Sequence, residues 1–319
     1  MTSIRVMLDY VHPWPNAAGF YVARERGWYQ EAGLDIELTT HDFGRGDTLA
    51  HLSRFEVDFA VFPSNRLLVR REKSEPLIGV AAINQTGLET IQAIRSSGIT
   101  RPRDLGGRRI GYGPTPRGRA MVSHLVALDG GDPSQVITVN SAGHELTPDY
   151  LVAGGLDALF GGYWCWDVLS RTVPEEELIT WRVSDIGAPA YHSYLLGTQE
   201  WMAERNPELV RNFVAATSQG FHAAATDQAA TLTLLARVIP YQPAWRLERS
   251  LELVATSWFH DGLWGVQREA DLVAGYAAWL ASQGVLASGD VWQGATTNEF
   301  VPDAAQPGRA AEPSEMSAS

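Results

Sequence analysis

Apolar side chains recur with period two at the start of the chain, where Ile4, Val6 and Leu8 alternate with Arg5, Met7 and Asp9. That alternation predicts a strand from the first few residues onward. Residues 10–16 form a polar aromatic loop that Pro13 and Pro15 keep out of helix. Phe20, Tyr21, Ala23 and Trp28 then follow at helical spacing, with Gly27 or Gly33 as a stop, and Leu34, Ile36 and Leu38 alternate again. Strand, loop, helix and strand make a βαβ unit, the opening of a mostly parallel sheet. Apolar runs of strand length recur at 57–62, 77–83, 109–112, 136–139 and 156–160. Helical periods are expected at 48–54, at 66–72, from near Arg119, and through the stretch from Trp201 to Leu280. The fold class is α/β.

Composition narrows the function classes. The 319 residues are 45% hydrophobic and 19% charged, the balance of a folded protein rather than a disordered one. Against 25 basic residues stand 37 acidic ones, a net charge of −12, which argues against nucleic acid or an anionic membrane as partner. Cys165 is the one cysteine, so neither an intramolecular disulfide nor a thiolate zinc site is available. No apolar run reaches the length of a membrane span. The first residues, MTSIRVMLDYV, lack a basic segment followed by an apolar one. As written the chain reads as cytoplasmic, and as extracytoplasmic if the true start lies upstream.

The pattern LDY, then P-N-x-x-G-x-Y-V-A-R-E-R-G-W-Y-x-E-A-G-L-D-I-E, resembles the start of the thiamine-pyrimidine-synthase-like family. That family includes solute-binding proteins of ABC importers for pyrimidine precursors of thiamine, and the enzyme that makes the thiamine pyrimidine. SsuA-type substrate-binding proteins of ABC transporters, for sulfonates, and nitrate binders are related. The resemblance extends from Ile4 to about Pro302. It implies a type II periplasmic-binding-protein fold of two α/β lobes with a ligand cleft between them. In that frame residues 1–95 open the first lobe and 96–188 form the second, after a turn-rich linker from Ser96 to Gly107. Residues 189–302 complete the first lobe, and 303–319 form a disordered tail.

Four clusters carry candidate chemistry. Ligands of open α/β sheets sit beyond the carboxyl ends of the strands, which is where Asp9, Tyr10, Trp14 and Asn16 project, with Tyr21 on the following helix. Aromatic faces and amide groups there suit a planar heterocycle; any single aromatic is better explained by packing, and it is the cluster at a strand end that favours a site. Two further strand ends, Ser64-Asn65 and Gln85, converge on the same side. The turn GYGPTPRGR offers Gly113, Thr115 and Arg117 to an anion at a helix start, and the family resemblance points the same way. It is no Walker motif, since no Gly-Lys-Ser/Thr follows. Tyr163 and Trp164, after Gly161-Gly162, face the cleft from the second lobe, and one of the two is expected in the site. Tyr191 and His192 lie where the chain re-enters the first lobe, and His192 is placed to donate to a ligand or to titrate near neutrality.

No catalytic, metal or cofactor residues are assigned. The family's enzymatic branch uses pyridoxal phosphate on a lysine, a histidine of its own chain, iron and a cysteine-rich stretch. Aligned on VDFAVFPSNRLL, its lysine position falls at Phe62 and its histidine position at Arg66. Its cysteine-rich stretch falls near 188–194, where there is no cysteine. The one lysine, Lys73, sits in a charged run unsuited to a Schiff base. The expectation is a binding protein for a heteroaromatic, pyrimidine-type ligand, with an ABC-transporter permease as the partner the family implies. The alternatives are a cytoplasmic thiamine-pyrimidine biosynthesis enzyme and a sulfonate- or nitrate-type anion binder.

Overall fold

The opening unit consists of β1 (Thr2–Leu8), α1 (Ala18–Glu25), α2 (Trp28–Glu31) and β2 (Leu34–Thr40). β1 and β2 run parallel, with Ile4 in register with Ile36 and Val6 with Leu38. The computed structural model describes residues 1–40, 43–141, 145 and 147–302; the tail expected at 303–319 and residues 41 and 42 of the following loop lie outside them. The chain continues through α3 (Thr48–Ser53), β3 (Phe59–Pro63), α4 (Ser64–Glu72) and β4 (Leu77–Ala82).

The chain then leaves this sheet and builds a second one. β5 (Glu89–Ile94), β6 (Arg109–Tyr112), α5 (Pro116–Leu128), β7 (Ile137–Asn140), α6 (Asp149–Val152), β8 (Ala158–Tyr163) and β9 (Leu178–Arg182) follow in order. The second sheet is arranged β7-β6-β8-β5-β9. β10 (Tyr194–Gln199) returns and inserts antiparallel between β3 and β4, so the first sheet reads β2-β1-β3-β10-β4. The helices α7 (Glu200–Arg205), α8 (Pro207–Thr226), α9 (Gln228–Val238) and α10 (Ala244–Ala255) come next. A short hairpin of β11 (Phe259–His260) and β12 (Leu263–Trp264) leads to a π-helical turn, Glu269–Val273, and α11 (Ala274–Ser282). Each sheet organises one lobe, the architecture expected of the type II fold.

The first crossover lies earlier than the expected boundary at residue 96. β5 belongs to the second sheet, so the turn-rich stretch from Ser96 to Gly107 connects two strands of one lobe rather than two lobes. β5 escapes the period-two pattern because it is central and covered on both faces. Its buried positions include the polar Thr90 and Gln92, held by hydrogen bonds from the Thr90 hydroxyl to the Gly162 carbonyl and from Gln92 to Thr90. α5 likewise begins at Pro116 rather than near Arg119, because Thr115 caps it and proline fits the first helical turn.

The loop after β1 carries much of the site, and its position depends on how α1 is held. α1 packs against α8 at two glycines. A Cβ on Gly220 would come within 2.0 Å of the Gly19 carbonyl oxygen, and one on Gly19 within 2.2 Å of the Phe221 ring. Phe221 stacks in turn on Trp264, with ring centroids 4.7 Å apart. The close approach leaves no room for a methyl group. Gly220→Ala is therefore expected to destabilise the fold by about 1–3 kcal/mol in urea denaturation. Gly275→Ala, at an open position in α11, is expected to be neutral or to stabilise by about 0.5–1 kcal/mol. Equal effects at the two sites would contradict this packing.

Candidate functional site

Strand ends of both lobes meet at a cleft of about 340 Å³. The first lobe contributes Asp47, which caps α3, and Pro63, Asn65, Arg66 and Arg70 from the β3–α4 junction. The second contributes Glu89 at the start of β5, Thr115 and Arg117 at the start of α5, and Tyr163 at the end of β8. Tyr191 and Ser193, on the return crossover, close one wall. Sites of this kind follow from parallel strands whose carboxyl ends share one edge.

One side of the cleft is an aromatic wall that joins the lobes. Trp14 stacks on Tyr163 with ring centroids 5.5 Å apart and planes 19° from parallel, and Tyr10 lies 5.0 Å from Trp14. The hydroxyls of Tyr163 and Tyr194 share a hydrogen bond of 2.5 Å, and the Tyr10 hydroxyl donates to Asp167 across the lobes at 2.8 Å. His12 adds a second bridge, its Nε2 standing 2.7 Å from Glu145. Sandwiching a third ring between two aromatic faces needs about 7 Å, twice the usual carbon contact distance. Trp14 and Tyr163 therefore fill each other's stacking slot, and a planar guest enters only if the lobes move apart.

Behind that wall lies a void of about 10 Å³, lined in part by Asp9, Trp14, Asn16 and Tyr194. Burial pushes the Asp9 carboxyl up to about 7, against the opposing pull of Arg66. Asp9 receives a long hydrogen bond of 3.4 Å from the Thr48 hydroxyl, and Arg66 Nη1 stands 3.6 Å from its Oδ1. A carboxyl that changes protonation near neutrality, beside stacked aromatics, is equipped to donate to or accept from a heterocycle edge. Burial likewise raises Asp167, to about 6.

The candidate residues separate into three groups. Asn65, Thr115, Arg117, Tyr163 and Tyr191 line the cleft, while Asp9, Trp14 and Asn16 line the void beside it and Tyr10 braces the wall. Asn16 is committed to structure: its amide pairs head to head with that of Asn84, and its oxygen also accepts from Trp258. That pair is what draws two of the three expected strand ends together. Ser64 donates to the His192 carbonyl, Gly113 sits exposed in its turn, and Gln85 donates to the Val266 carbonyl; none of them lines the cleft. Tyr21 is buried beneath Arg24, away from the cleft. Trp164 donates to the Gly87 carbonyl under the Arg182 guanidinium, so of the pair Tyr163 and Trp164 only Tyr163 reaches the cleft.

His192 is a structural residue. It is buried, its Nε2 accepts from the Arg268 backbone N–H at 3.0 Å, and its Nδ1 accordingly donates to the Asn84 carbonyl at 3.0 Å. Burial lowers its pKa to about 4, so it stays neutral rather than titrating near pH 7. The anion reading of the GYGPTPRGR turn also changes. Arg117 forks onto Glu89 with both contacts at 2.5 Å, and its Nε donates to Tyr276. The Gly118 N–H donates to Thr115 Oγ1, so the Arg117 side chain and one backbone donor of the turn are occupied within the protein. Arg66, Arg70, Asp47, Glu89 and Ser193 extend the list of lining residues beyond the candidates. Glu89 was hidden with its strand, and Asp47 shows only as a helix cap in a glycine-bearing loop. Among the described residues no group of three or more His, Cys, Asp or Glu side chains is placed to hold a metal.

The raised pKa of Asp9 makes a stability prediction. A carboxyl with a folded pKa above its unfolded value favours the folded state fully at low pH, and that contribution is lost as pH rises toward 7. Relative to the parent, Asp9→Asn is expected to gain stability between about pH 4 and pH 8, by at most about 4 kcal/mol. Thermal unfolding at both pH values checks this, and a difference that stays flat or runs the other way would contradict the assignment.

Known proteins share both the sequence pattern and the architecture. A formylaminopyrimidine-binding protein of Halalkalibacterium halodurans is 26% identical over 223 residues, covering 69% of this chain and 66% of that relative. A 4-amino-5-hydroxymethyl-2-methylpyrimidine phosphate synthase of Saccharomyces cerevisiae is 22% identical over 84% of this chain and 81% of its own. Among solved structures, the periplasmic aliphatic sulphonate-binding protein SsuA of Escherichia coli superposes with a TM-score of 0.71 at 14% identity, covering 94% of this chain and 99% of that one. The NMT1/THI5-like family model matches residues 14–231, from Trp14 in the aromatic wall to Thr231 in α9. The chain belongs to the NMT1/THI5-like family.

Proposed function

We propose that this protein is the solute-binding component of an ABC-importer-type system and that its ligand is an aminopyrimidine precursor of thiamine. The observation that carries the reading is the Trp14–Tyr163 stack between the lobes with the Asp9 carboxyl beside it. A pyrimidine ring has faces for the two aromatics, and a 4-amino group next to a ring nitrogen offers one donor and one acceptor. A carboxyl group near its pKa matches that pair, accepting from the amine and donating to the ring nitrogen. The formylaminopyrimidine-binding relative supports the same ligand class, and the SsuA-like architecture supports the binding role. A permease that recognises the closed lobes is the partner this reading implies.

The competing reading is a pyrimidine-forming enzyme like the yeast relative. The residues present do not fit pyridoxal phosphate. Phe62, at the family's lysine position, is wholly buried in core, and Arg66, at its histidine position, lies beside two carboxylates. Lys73 is exposed at the end of α4, outside the desolvated setting that a Schiff-base lysine needs.

Calorimetric titration with 4-amino-5-hydroxymethyl-2-methylpyrimidine is expected to show one saturable site, and Trp14→Ala to weaken it by roughly tenfold or more, a loss typical of one stacking contact. An unchanged affinity in that variant would place the site elsewhere, and preference for an alkanesulfonate or nitrate would favour the anion binder. Treated with pyridoxal phosphate and borohydride, the protein is expected to carry no single-site adduct. A stoichiometric adduct on Lys73 would instead support the enzyme.

A further inference from the structure

We infer that Arg66 sets the ligand's second specificity, selecting an uncharged oxygen acceptor such as an amide carbonyl over a phosphate. This rests on the aminopyrimidine reading above and concerns the substituent the ring carries. Three guanidinium groups line the cleft, and two are committed. Arg70 donates to both Glu75 oxygens and to Asp47, each at 3.0 Å, and Arg117 is forked onto Glu89. Arg66 differs. Among the described residues it makes no hydrogen bond, and its nearest acidic oxygens, on Asp9 and Asp47, stand at 3.6 and 3.7 Å, beyond hydrogen-bond range. With 36% of its side-chain surface exposed, its donors are within reach of a ligand in the cleft.

The charge of Arg66 is balanced while its hydrogen-bonding capacity is open, and that combination discriminates between substituents. A neutral carbonyl or hydroxyl oxygen gains a charge-assisted hydrogen bond and adds no charge beside Asp9 and Asp47. A phosphate gains the same bonds but brings up to two negative charges next to Asp47 and the partly ionised Asp9, with Arg70 and Arg117 already neutralised by acidic partners. The amino termini of α4 and α5 favour an anion only weakly by comparison. The pairing of the Arg117 guanidinium and the Gly118 N–H agrees with this, since the cation expected to meet a phosphate at the 113–118 turn is already bonded.

Three probes share one ring and separate the possibilities: 4-amino-2,5-dimethylpyrimidine, its 5-formamidomethyl derivative, and 4-amino-5-hydroxymethyl-2-methylpyrimidine phosphate. Titrated against the parent protein, the formamide is expected to bind more tightly than the phosphate. In Arg66→Met its affinity is expected to fall by about tenfold or more, the effect of losing a hydrogen bond to a charged group, while the dimethyl compound stays within about threefold. Tighter binding of the phosphate by the parent would overturn the inference, and that comparison needs no variant. An unchanged formamide affinity in Arg66→Met, or an equal loss for all three probes, would also overturn it. In those cases the dimethyl compound still binds the parent and the aminopyrimidine reading stands. If no probe binds the parent, that reading fails and this inference with it.

Discussion

Trp14 leaves the first lobe and lies flat against Tyr163 of the second, and the geometry of the cleft follows from that contact. The indole is held there because Pro15, which opens a short 3-10 turn over Pro15–Ala17, keeps the backbone of Trp14 before it extended, and because α1 behind it is locked to α8 through Gly19 and Gly220. Tyr163 is held by its hydroxyl bond to Tyr194 on the returning strand and by the backbone of β8 against β5. The stack thus couples the packing of each lobe to the distance between them. An offset aromatic pair contributes about 0.5–1.5 kcal/mol beyond its buried area. That is small enough for a stacked ligand to replace and large enough to favour the closed arrangement in its absence.

Around the stack, the polar groups divide between those that build the cleft and those left available. The Asn16–Asn84 pair, His192, Ser64 and the Arg117–Glu89 fork all satisfy one another inside the protein. Leaving any of them unpaired would impose a desolvation penalty of about 1–3 kcal/mol, which explains why these groups are paired within the protein. Among the described residues that line the cleft and its void, Asp9, near its titration point, and Arg66, without side-chain hydrogen bonds, are the charged groups open to a guest.

The βαβ opening, the helices α3, α4, α5 and α7 to α11 and the aromatic loop were legible because one-sided burial leaves a period in the sequence, as Ile4, Val6 and Leu8 do. β5 was not, because a central strand buried on both faces can carry Thr90 and Gln92 inward once Thr90 is bonded to the distant Gly162 carbonyl and Gln92 to Thr90. The same limit governs the site. Trp14, Tyr163 and Asp9 could be placed from strand ends and residue type. The demotion of His192 and Arg117 depended on which partners, Asn84, Arg268, Glu89 and Tyr276, the fold brings to them. Asp47 and Glu89 carry no local mark of function; only the meeting of lobes gives them a place on the cleft wall.

The most direct measurement is the structure of the protein crystallised with 4-amino-2,5-dimethylpyrimidine, read for the separation of the Trp14 and Tyr163 rings. The expected result is a pyrimidine between them, the two centroids about 7 Å apart, with the 4-amino edge against the Asp9 carboxyl. A ligand seated elsewhere, with the two rings still in contact at 5.5 Å, would contradict the account.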